Sequence, residues 1–294
     1  MERPVPDDVA RVVAALKVEP VAWRPATRGG QTAAARWLVT LPDGTGAFVK
    51  IGATLDTAAY VRDEHLVYAR LRGRPFLPHV VGWHDDGERP VLAIEDLSDG
   101  HWPPPWDRAG VDAVRSCLDE VHATTPPDDL PTIAQHGLEF HGTWGVVAAD
   151  PAPLLSLGLC GDDWLAAALP VLDEATRRAS IEGDALLHMD VRSDNLCLRD
   201  GRALLIDWNW ACTGDPLFEL ASWLPSLEAE GGPSPEAVLP GPAPELAALL
   251  AGYFCSHAGL PGIPDAPHVR VMQLQQARSS LPWAARELGL PPPA

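Results

Sequence analysis

Apolar and polar positions follow clear periods in the first hundred residues of the chain. Residues 34–52 and 79–97 each contain two β-rich apolar runs around a turn sequence, PDGTG in the first and DDGE in the second, which predicts two hairpins. Between them, DTAAYVRDEHLVYARLRG repeats its apolar residues at helical spacing. It predicts a helix that is capped by Asp56 or Thr57 and ended by Gly73. The predicted order is strand, strand, helix, strand, strand.

The pattern changes after Leu97. The stretch SDGHWPPPWDRAG is rich in proline and predicts a linker or a rigid surface loop. Helical spacing returns in VDAVRSCLDEVHATTPP and DDWLAAALPVLDEATRRAS, while residues 126–160 are predicted to be irregular. We therefore expect an α+β protein. A small β-rich lobe would span residues 1–97, and a larger, mainly helical lobe would span residues 98–294.

Composition narrows the possible functions. With 294 residues and 46% hydrophobic content, the chain can bury one large or two modest cores. A net charge of −18 argues against binding to the phosphate backbone of nucleic acids. The charge fits a preference for cationic small molecules, but a solvated acidic surface without a ligand is the simpler interpretation. Oligomeric state cannot be read from the sequence.

The cysteines and the N-terminus indicate a reducing, cytoplasmic location. The five cysteines are scattered, odd in number and without a CxxC motif, so neither a disulfide framework nor a zinc site is predicted. The first residues, MERPVPDDVARVV, lack the basic and then apolar pattern of a secretory signal. No apolar run reaches the roughly 18 residues that a membrane span needs.

Two charged residues stand in apolar surroundings. Lys50, one of two lysines in the chain, alternates with Val49 and Ile51 in a predicted strand, and Glu64 falls within the apolar stripe of the following helix. A carboxylate on a buried helix face is costly unless it is paired, and Lys50 is a plausible partner. A Lys–Glu pair between a strand and a helix can direct the ammonium group at nucleotide phosphates. The alternative is an ion pair with a structural role only.

The stretch LLHMDVRSDNLCLRDGRALLIDWNW carries the densest chemistry. HMDVRSDN has the form H-x-D-x-x-x-x-N, with Asp190 and Asn195 in a loop between apolar runs, and Asp207 ends the next apolar run. A carboxylate can accept the proton of a hydroxyl, and an amide with a second carboxylate can hold Mg²⁺ through oxygen. Arg192 could reach a transferring phosphate. This set of groups is typical of phosphoryl transfer, which depends on positioning and charge neutralisation.

These motifs resemble those of the aminoglycoside phosphotransferase and choline kinase-like family, relatives of the protein kinases. The resemblance covers the chain from about Trp23 to Trp223. It rests on HMDVRSDN, LLIDWNW and GDPLFELA, with CLDEVHA and AIEDLS as further matches. It implies a two-lobed protein kinase-like fold, with a small antiparallel β N-lobe and a mainly helical C-lobe. It also implies ATP and Mg²⁺ as cofactors and a small-molecule hydroxyl as acceptor.

The resemblance also implies roles for the catalytic residues. Asp190 matches the catalytic base, and Asn195 and Asp207 match the Mg²⁺ ligands. Lys50 and Glu64 match the phosphate-binding pair. Arg192 occupies the position at which protein kinases carry a lysine that touches phosphate. His188 is expected to hold the loop, and Asp215 is expected to cap or brace the segment after the metal-binding loop.

The nucleotide-binding part is less regular. The segment from Glu95 to Leu97 matches the hinge, whose backbone would hydrogen-bond adenine. The first hairpin lacks a G-x-G-x-x-G motif, and RGGQTAAARW offers only Gly29 and Gly30 followed by Gln31 and Thr32. Backbone N–H groups of this loop, together with Thr32, are expected to cover the phosphates.

The acceptor is weakly defined by the sequence, because a fold does not name its substrate. The best hypothesis is an aminoglycoside or a related antibiotic or amino-sugar, which would give a role in antibiotic resistance. Asp163 with Trp164, and Trp223 with Glu228, combine carboxylates with indole rings that suit amino-sugars. For each of them, a buried tryptophan and a solvated acid without a ligand is the simpler interpretation.

Three alternatives stay open at this point. The chain could phosphorylate a metabolite such as choline, a sugar or homoserine. It could be a non-catalytic nucleotide-binding module, although Asp190 is intact. It could also be a metal-dependent hydrolase that uses His188, Asp190 and Asp207. The hydrolase would require more histidine ligands, and it would leave Lys50 and Glu64 unexplained.

Overall fold

A computed structural model of the chain describes residues 4–26, 33–137, 139–263, 266 and 268–293. The strands are β1 Ala22–Pro25, β2 Ala35–Thr40, β3 Gly46–Ile51, β4 Val80–His84, β5 Val91–Glu95, β6 Ala185–Leu187, β7 Leu196–Arg199, β8 Arg202–Leu205 and β9 Cys212–Gly214. The helices are α1 Pro6–Leu16, α2 Leu55–Arg70, α3 Arg108–His122, α4 Thr143–Ala149, α5 Ala152–Leu155, α6 Asp162–Arg178, α7 Pro216–Ala229, α8 Pro235–Val238, α9 Pro244–Ala258 and α10 Val269–Glu287.

The first five strands form one antiparallel sheet with the order β1-β2-β3-β5-β4. Both predicted hairpins, β2–β3 and β4–β5, are confirmed. Strand β1 was not predicted, and it adds an edge next to β2. One sheet face packs on α1 through an apolar cluster that includes Val12, Trp37, Val39 and Val49. Because side chains alternate along a strand, the neighbours of Trp37 and Val49, Arg36 and Lys50, lie on the opposite face.

Helix α2 begins one residue earlier than the sequence predicted. Its cap is Thr54, not Asp56 or Thr57. The Thr54 side chain accepts the backbone N–H of Thr57 at 3.2 Å, and the Thr57 hydroxyl accepts the N–H of Thr54 at 2.8 Å. This reciprocal pair satisfies two donors that would otherwise lack partners at the helix start. The helix ends at Arg70, before Gly73.

Contacts divide the chain into two compact units. The first unit comprises residues 1–103, 108–130 and 193–211, and it contains the five-stranded sheet, α1 to α3 and the β7–β8 hairpin. The second comprises residues 104–107, 131–192 and 212–294, with α4 to α10 and the β6–β9 pair. The predicted lobes are two continuous segments that meet at residue 97, whereas each compact unit combines three separate segments. The lobe boundary at residue 97 therefore stays a prediction.

The second unit is mainly helical. Helix α9 is buried along most of its length and packs against α10, α6 and α4. The indole N–H of Trp144 on α4 donates to the carbonyl of Ala248 on α9 at 2.9 Å. The predicted α+β class, a small antiparallel part followed by a mainly helical part, is confirmed.

Residues 126–160 are more regular than predicted. They include a 3₁₀ turn at Ile133–His136 and the short helices α4 and α5. Helices this short, interrupted by frequent proline and glycine, contain too few turns for a helical repeat to be recognised in the sequence.

Within the residues that the structure describes, no helix is both long and apolar enough to cross a bilayer.

Candidate active site

The first unit holds a buried ion triad of Lys50, Glu64 and Asp207. Lys50 on β3 places its Nζ 2.6 Å from Oε2 of Glu64 on α2 and 2.7 Å from Oδ1 of Asp207, which follows β8. The backbone N–H of Asp207 donates to Oε1 of Glu64 at 3.0 Å. The predicted Lys50–Glu64 pair therefore exists, and one carboxylate links the lysine to the backbone of the predicted metal ligand.

Burial sets the electrostatics of this triad. Glu64 is 2% exposed and Lys50 is 8% exposed. Burial alone would lower the pKa of Lys50, but the carboxylates of Asp207 and Glu64 outweigh it and raise that pKa above its ordinary value. Lys50 is therefore a fixed cation at physiological pH, as a phosphate-binding group must be.

Tyr68 completes the surroundings of Glu64. It lies one turn after Glu64 on α2, is 2% exposed, and its hydroxyl donates to Oε1 of Glu64 at 3.3 Å. Burial raises the pKa of Tyr68 well above its usual range, and the charges of Glu64 and Asp207 act in the same direction. The hydroxyl therefore stays protonated and acts as a donor.

Asn195 and Asp207 flank the two strands of the β7–β8 hairpin. The carbonyl of Asn195 accepts the N–H of Ile206 at 2.9 Å, so the hairpin register brings Asn195 beside the residue that precedes Asp207. Asp207 adopts the left-handed conformation, with φ of 66°. Asn209, with its amide nitrogen toward Asp207, donates to Oδ1 at 2.8 Å. An amide oxygen and a carboxylate are oxygen ligands that fit Mg²⁺, which takes its remaining ligands from water and phosphate.

The predicted catalytic residues Asp190 and Arg192 lie in the second unit. Nη1 of Arg192 is 3.0 Å from Oδ1 of Asp190, so the guanidinium neutralises the predicted base in this state. His188 is fully buried, and its Nδ1 accepts the backbone N–H of Asp190 at 3.2 Å. This contact agrees with the predicted role of His188 in holding the loop.

Besides His188, the carboxylate of Glu219 holds the same loop. Glu219 was not predicted from the sequence. Met189 has φ of 67°, a conformation that non-glycine residues rarely adopt, and its N–H donates to Oε1 of Glu219 at 2.6 Å. Glu219 is 1% exposed on α7. Its place in the apolar run GDPLFELA was the available signal. Asp215 caps α7 by accepting the N–H of Leu217 at 2.7 Å, as predicted.

Helix α9 contributes a further group near Asp190, the side chain of Tyr253. Tyr253 on α9 packs its ring on Phe140 and on His257, at centroid distances of 4.9 Å and 4.8 Å. Burial raises the pKa of Tyr253, the charge of Asp190 adds to this effect, and Arg270 opposes it. Tyr253 and Arg270 were not predicted as site residues, because their sequence positions lie far from the catalytic loop.

The predicted hinge lies after β5 in the first unit. Glu95 accepts the N–H of His79 at 2.8 Å and pairs with Arg199 at 2.6 Å. The carbonyl of Leu97 accepts the indole N–H of Trp102 at 3.1 Å. These contacts fix the segment, and its role toward adenine stays a prediction. Thr32 lies outside the described residues.

The four predicted acceptor residues differ in their surroundings. Asp163 is exposed in the first turn of α6, whereas the indole N–H of its neighbour Trp164 donates to the carbonyl of Pro291 at 2.8 Å. Trp223 is 1% exposed, and this burial favours packing over ligand stacking. Glu228 lies 3.7 Å from Arg286, and its pKa is raised by burial.

The described residues offer little to a hydrolytic metal centre. They contain no group of three or more His, Cys, Asp or Glu side chains arranged to hold a metal ion. The hydrolase alternative needed such a group and finds no support.

Comparison with known proteins identifies the family. The model of the phosphotransferase enzyme family matches residues 25–261. No curated protein matches the chain.

Solved structures of similar fold have low sequence identity. Spectinomycin phosphotransferase in complex with ADP and spectinomycin has a TM-score of 0.62 at 9% identity, covering 97% of this chain and 99% of that one. Choline kinase from Streptococcus pneumoniae has a TM-score of 0.59 at 13% identity, covering 95% and 99%. An aminoglycoside phosphotransferase from Alicyclobacillus acidocaldarius has a TM-score of 0.58 at 15% identity, covering 98% and 96%.

The family match spans most of the chain, and the structural neighbours share its fold over nearly their whole length. The predicted protein kinase-like fold is thereby confirmed. This chain belongs to the phosphotransferase enzyme family and is a small-molecule phosphotransferase.

Proposed function

We propose that the protein transfers the γ-phosphoryl group of ATP to a hydroxyl group of a small molecule, with Mg²⁺ bound to the nucleotide. The observation that carries the proposal is the contact of Lys50 with both Glu64 and Asp207. A buried ammonium group between two carboxylates has the charge and the position that nucleotide phosphates and their metal ion require.

The nucleotide side of the reaction uses residues of the first unit. Lys50 would leave Asp207 and bind phosphate oxygens while Glu64 keeps its position. Asn195 and Asp207 would hold Mg²⁺, which supplies neutralisation of phosphate charge. The remaining contribution of the chain is orientation, which supplies most of the catalysis in phosphoryl transfer.

The acceptor side uses the catalytic loop. Asp190 would accept the proton of the acceptor hydroxyl as its oxygen forms a bond to the γ-phosphorus. The bond from that phosphorus to the bridging oxygen breaks, and ADP leaves with the electron pair. Arg192, now 3.0 Å from Asp190, is placed to stabilise the charge of the transferring group. His188 and Glu219 fix the loop from behind by accepting its N–H groups.

For the acceptor, we propose an aminoglycoside or a related amino-sugar. The net charge of −18 favours a cationic ligand, and Asp163 offers an exposed carboxylate. The spectinomycin-bound neighbour shows that this fold accepts such a molecule in another protein.

A neutral metabolite is the second candidate. Two of the four predicted acceptor residues are engaged elsewhere, since Trp223 is buried and Glu228 lies beside Arg286. Tyr253 supplies an aromatic ring near Asp190, and Arg270 supplies a positive charge near Tyr253. These groups favour a hydroxyl-rich compound such as a sugar over a polycation.

The decisive experiment measures ADP release from Mg·ATP across a panel of aminoglycosides, macrolide and peptide antibiotics, amino-sugars, neutral sugars, homoserine and choline. We expect release that depends on one acceptor class. We expect Asp190→Ala to reduce it by about 10²- to 10⁴-fold, because the general base is lost, while ATP affinity stays within about twofold. We expect Lys50→Ala to weaken productive use of ATP.

The matched control is Asp200→Asn, which removes a carboxylate from an exposed turn. It should leave ADP release unchanged. Full activity of Asp190→Ala would show that the base is assigned wrongly. Tight ATP binding without release for any acceptor would favour the nucleotide-binding module.

A further inference from the structure

Arg36 is a basic residue opposite Lys50 in the sheet. In the antiparallel register of β2 and β3, Arg36 pairs with Lys50 and Leu38 pairs with Phe48. Residues directly opposite each other in such a pair project from the same face, with Cβ atoms roughly 5 Å apart. Arg36 therefore shares the sheet face from which Lys50 reaches Glu64 and Asp207.

The same face has an apolar part and a cationic part. Leu38 and Phe48 are half-buried, and the Arg36–Lys50 pair is the next pair on this face, beside them. The opposite face is closed by the apolar cluster around Trp37 and Val49. A flat apolar surface beside two cations suits a molecule with an aromatic base and a chain of phosphates.

The charges of the triad leave room for a second cation. Lys50 supplies one positive charge to two carboxylates, Glu64 and Asp207. Burial lowers the pKa of the half-buried Arg36, while the carboxylates of Asp207 and Glu64 raise it, so the guanidinium lies within their field. An arginine stays charged under these conditions. With Arg36 included, the two cations and the two carboxylates have a net charge of zero before a nucleotide and its metal ion bind.

We propose that Arg36 is a second phosphate-binding cation of the nucleotide site, which acts with Lys50 on the polyphosphate chain. The inference rests on the proposed function. Its planar guanidinium can donate two parallel hydrogen bonds to phosphate oxygens, whereas Lys50 offers a point charge. The carbonyl of Ala34, which accepts from Nη1 of Arg36 at 2.9 Å, holds the side chain near the end of the strand.

The test compares adenosine, ADP and ATP as ligands of the full chain by calorimetry in the presence of Mg²⁺. For Arg36→Gln we expect ATP affinity to fall by about tenfold, the size expected for a lost charge-assisted hydrogen bond. Adenosine affinity should stay within about twofold, because adenosine has no phosphate. ADP should lie between them. A role in folding alone would change all three affinities equally.

Two further variants serve as controls. Arg115→Gln removes the same charge from an exposed position on α3 and should leave all three affinities unchanged. Arg36→Lys keeps the charge and should restore part of the ATP affinity. If Arg36→Gln does not fold, a selective loss of ATP affinity in Arg36→Lys, relative to adenosine, supports the proposal by itself.

The outcomes separate this inference from the proposed function. Wild-type protein that binds ATP, together with an Arg36→Gln variant that binds ATP equally well, overturns the role of Arg36 alone. Equal losses for adenosine and ATP also overturn it. Wild-type protein that binds no nucleotide overturns both.

Discussion

Glu64 is a buried carboxylate with three donors. Lys50 donates to Oε2, and the Tyr68 hydroxyl and the N–H of Asp207 both donate to Oε1. A buried charge is tolerated only when such partners replace the water it has lost. The same carboxylate therefore joins β3, α2 and the backbone after β8, and it fixes the lysine that we propose binds phosphate.

The Tyr68 hydroxyl is the donor that can be removed most cleanly. We expect Tyr68→Phe to lower the free energy of unfolding by about 1 kcal/mol, because Glu64 loses one donor and the 3.3 Å contact is long. The measurement is urea unfolding of the variant and the wild type.

Tyr60→Phe on the same helix is the matched control for Tyr68. Its ring contacts Trp210, and the substitution keeps that ring. Equal stabilities of the two variants would contradict a specific role for the Tyr68 hydroxyl.

Single residues differed in how far the sequence could predict them. Lys50, Glu64 and Asp207 were recognisable because each breaks an apolar run or belongs to a spaced motif. Arg36 was not, because an arginine in an alternating strand resembles an ordinary exposed position until the register with Lys50 is known. Met189 and Glu219 meet across 30 residues, and only tertiary contacts reveal such a pair.

At the level of elements, the start of α2 determines how firmly Glu64 and Tyr68 are held. We expect Thr54→Ala to cost about 1 kcal/mol of stability, because it removes the acceptor for the N–H of Thr57. The midpoint of urea unfolding measures this cost.

Thr54→Ser keeps the capping oxygen and should remain within a few tenths of a kcal/mol of the wild type. If the serine and alanine variants were destabilised equally, the lost methyl group, and not the cap, would be the cause.

The elements that the sequence predicted well are those with strong local signals. The turns PDGTG and DDGE fix both hairpins, and the helical spacing of α2 and α6 runs over four turns or more. Strand β1 has four residues and ends in proline, so its pairing with β2 decides its conformation. The cap of α2 was missed because the usual capping box pairs a serine or threonine with a glutamate or glutamine three residues later, whereas here both residues are threonines, Thr54 and Thr57.

For the whole molecule, several surface carboxylates have lowered pKa values in the folded state. A hydrogen bond from Arg62 lowers the pKa of Asp85, and one from Arg11 lowers that of Asp7. Backbone N–H groups of Arg89 and Glu88 lower the pKa of Asp86. At these three carboxylates, the folded state therefore binds fewer protons than the unfolded chain below about pH 5.

Stability should consequently fall on acidification. The contribution of these carboxylates is fully present above their unfolded pKa values, near 4, and is lost as the pH falls through their folded values. Burial raises the pKa values of Glu64 and Glu228, which works in the opposite direction and offsets part of this loss. Urea unfolding at pH 6, 4 and 3 should show midpoints that decrease below about pH 4.

Asp85→Asn removes one of these carboxylates and serves as the comparison. Its unfolding midpoint should decrease less steeply with acidification than that of the wild type. A midpoint that rises between pH 4 and pH 3 would contradict the expectation.

The acceptor illustrates the limit of sequence analysis for the whole molecule. The predicted catalytic groups occupy spaced motifs, whereas the proposed acceptor groups lie on separate helices, α6, α9 and α10. Trp223 and Glu228 satisfied the sequence pattern, but Trp223 is enclosed in the core and Glu228 lies beside Arg286. Tyr253 and Arg270 satisfied no pattern, and the fold brings Tyr253 near Asp190 and Arg270 near Tyr253.

All five cysteines are buried, and they are distributed over both compact units. Cys117 and Cys197 belong to the first unit, and Cys160, Cys212 and Cys255 belong to the second. Burial raises the pKa of the Cys212 and Cys255 thiols, which further suppresses the reactive thiolate. Alkylation of each thiol therefore requires local opening, and mass spectrometry of the modified peptides would time the opening of each unit separately, without any cysteine being introduced by mutation.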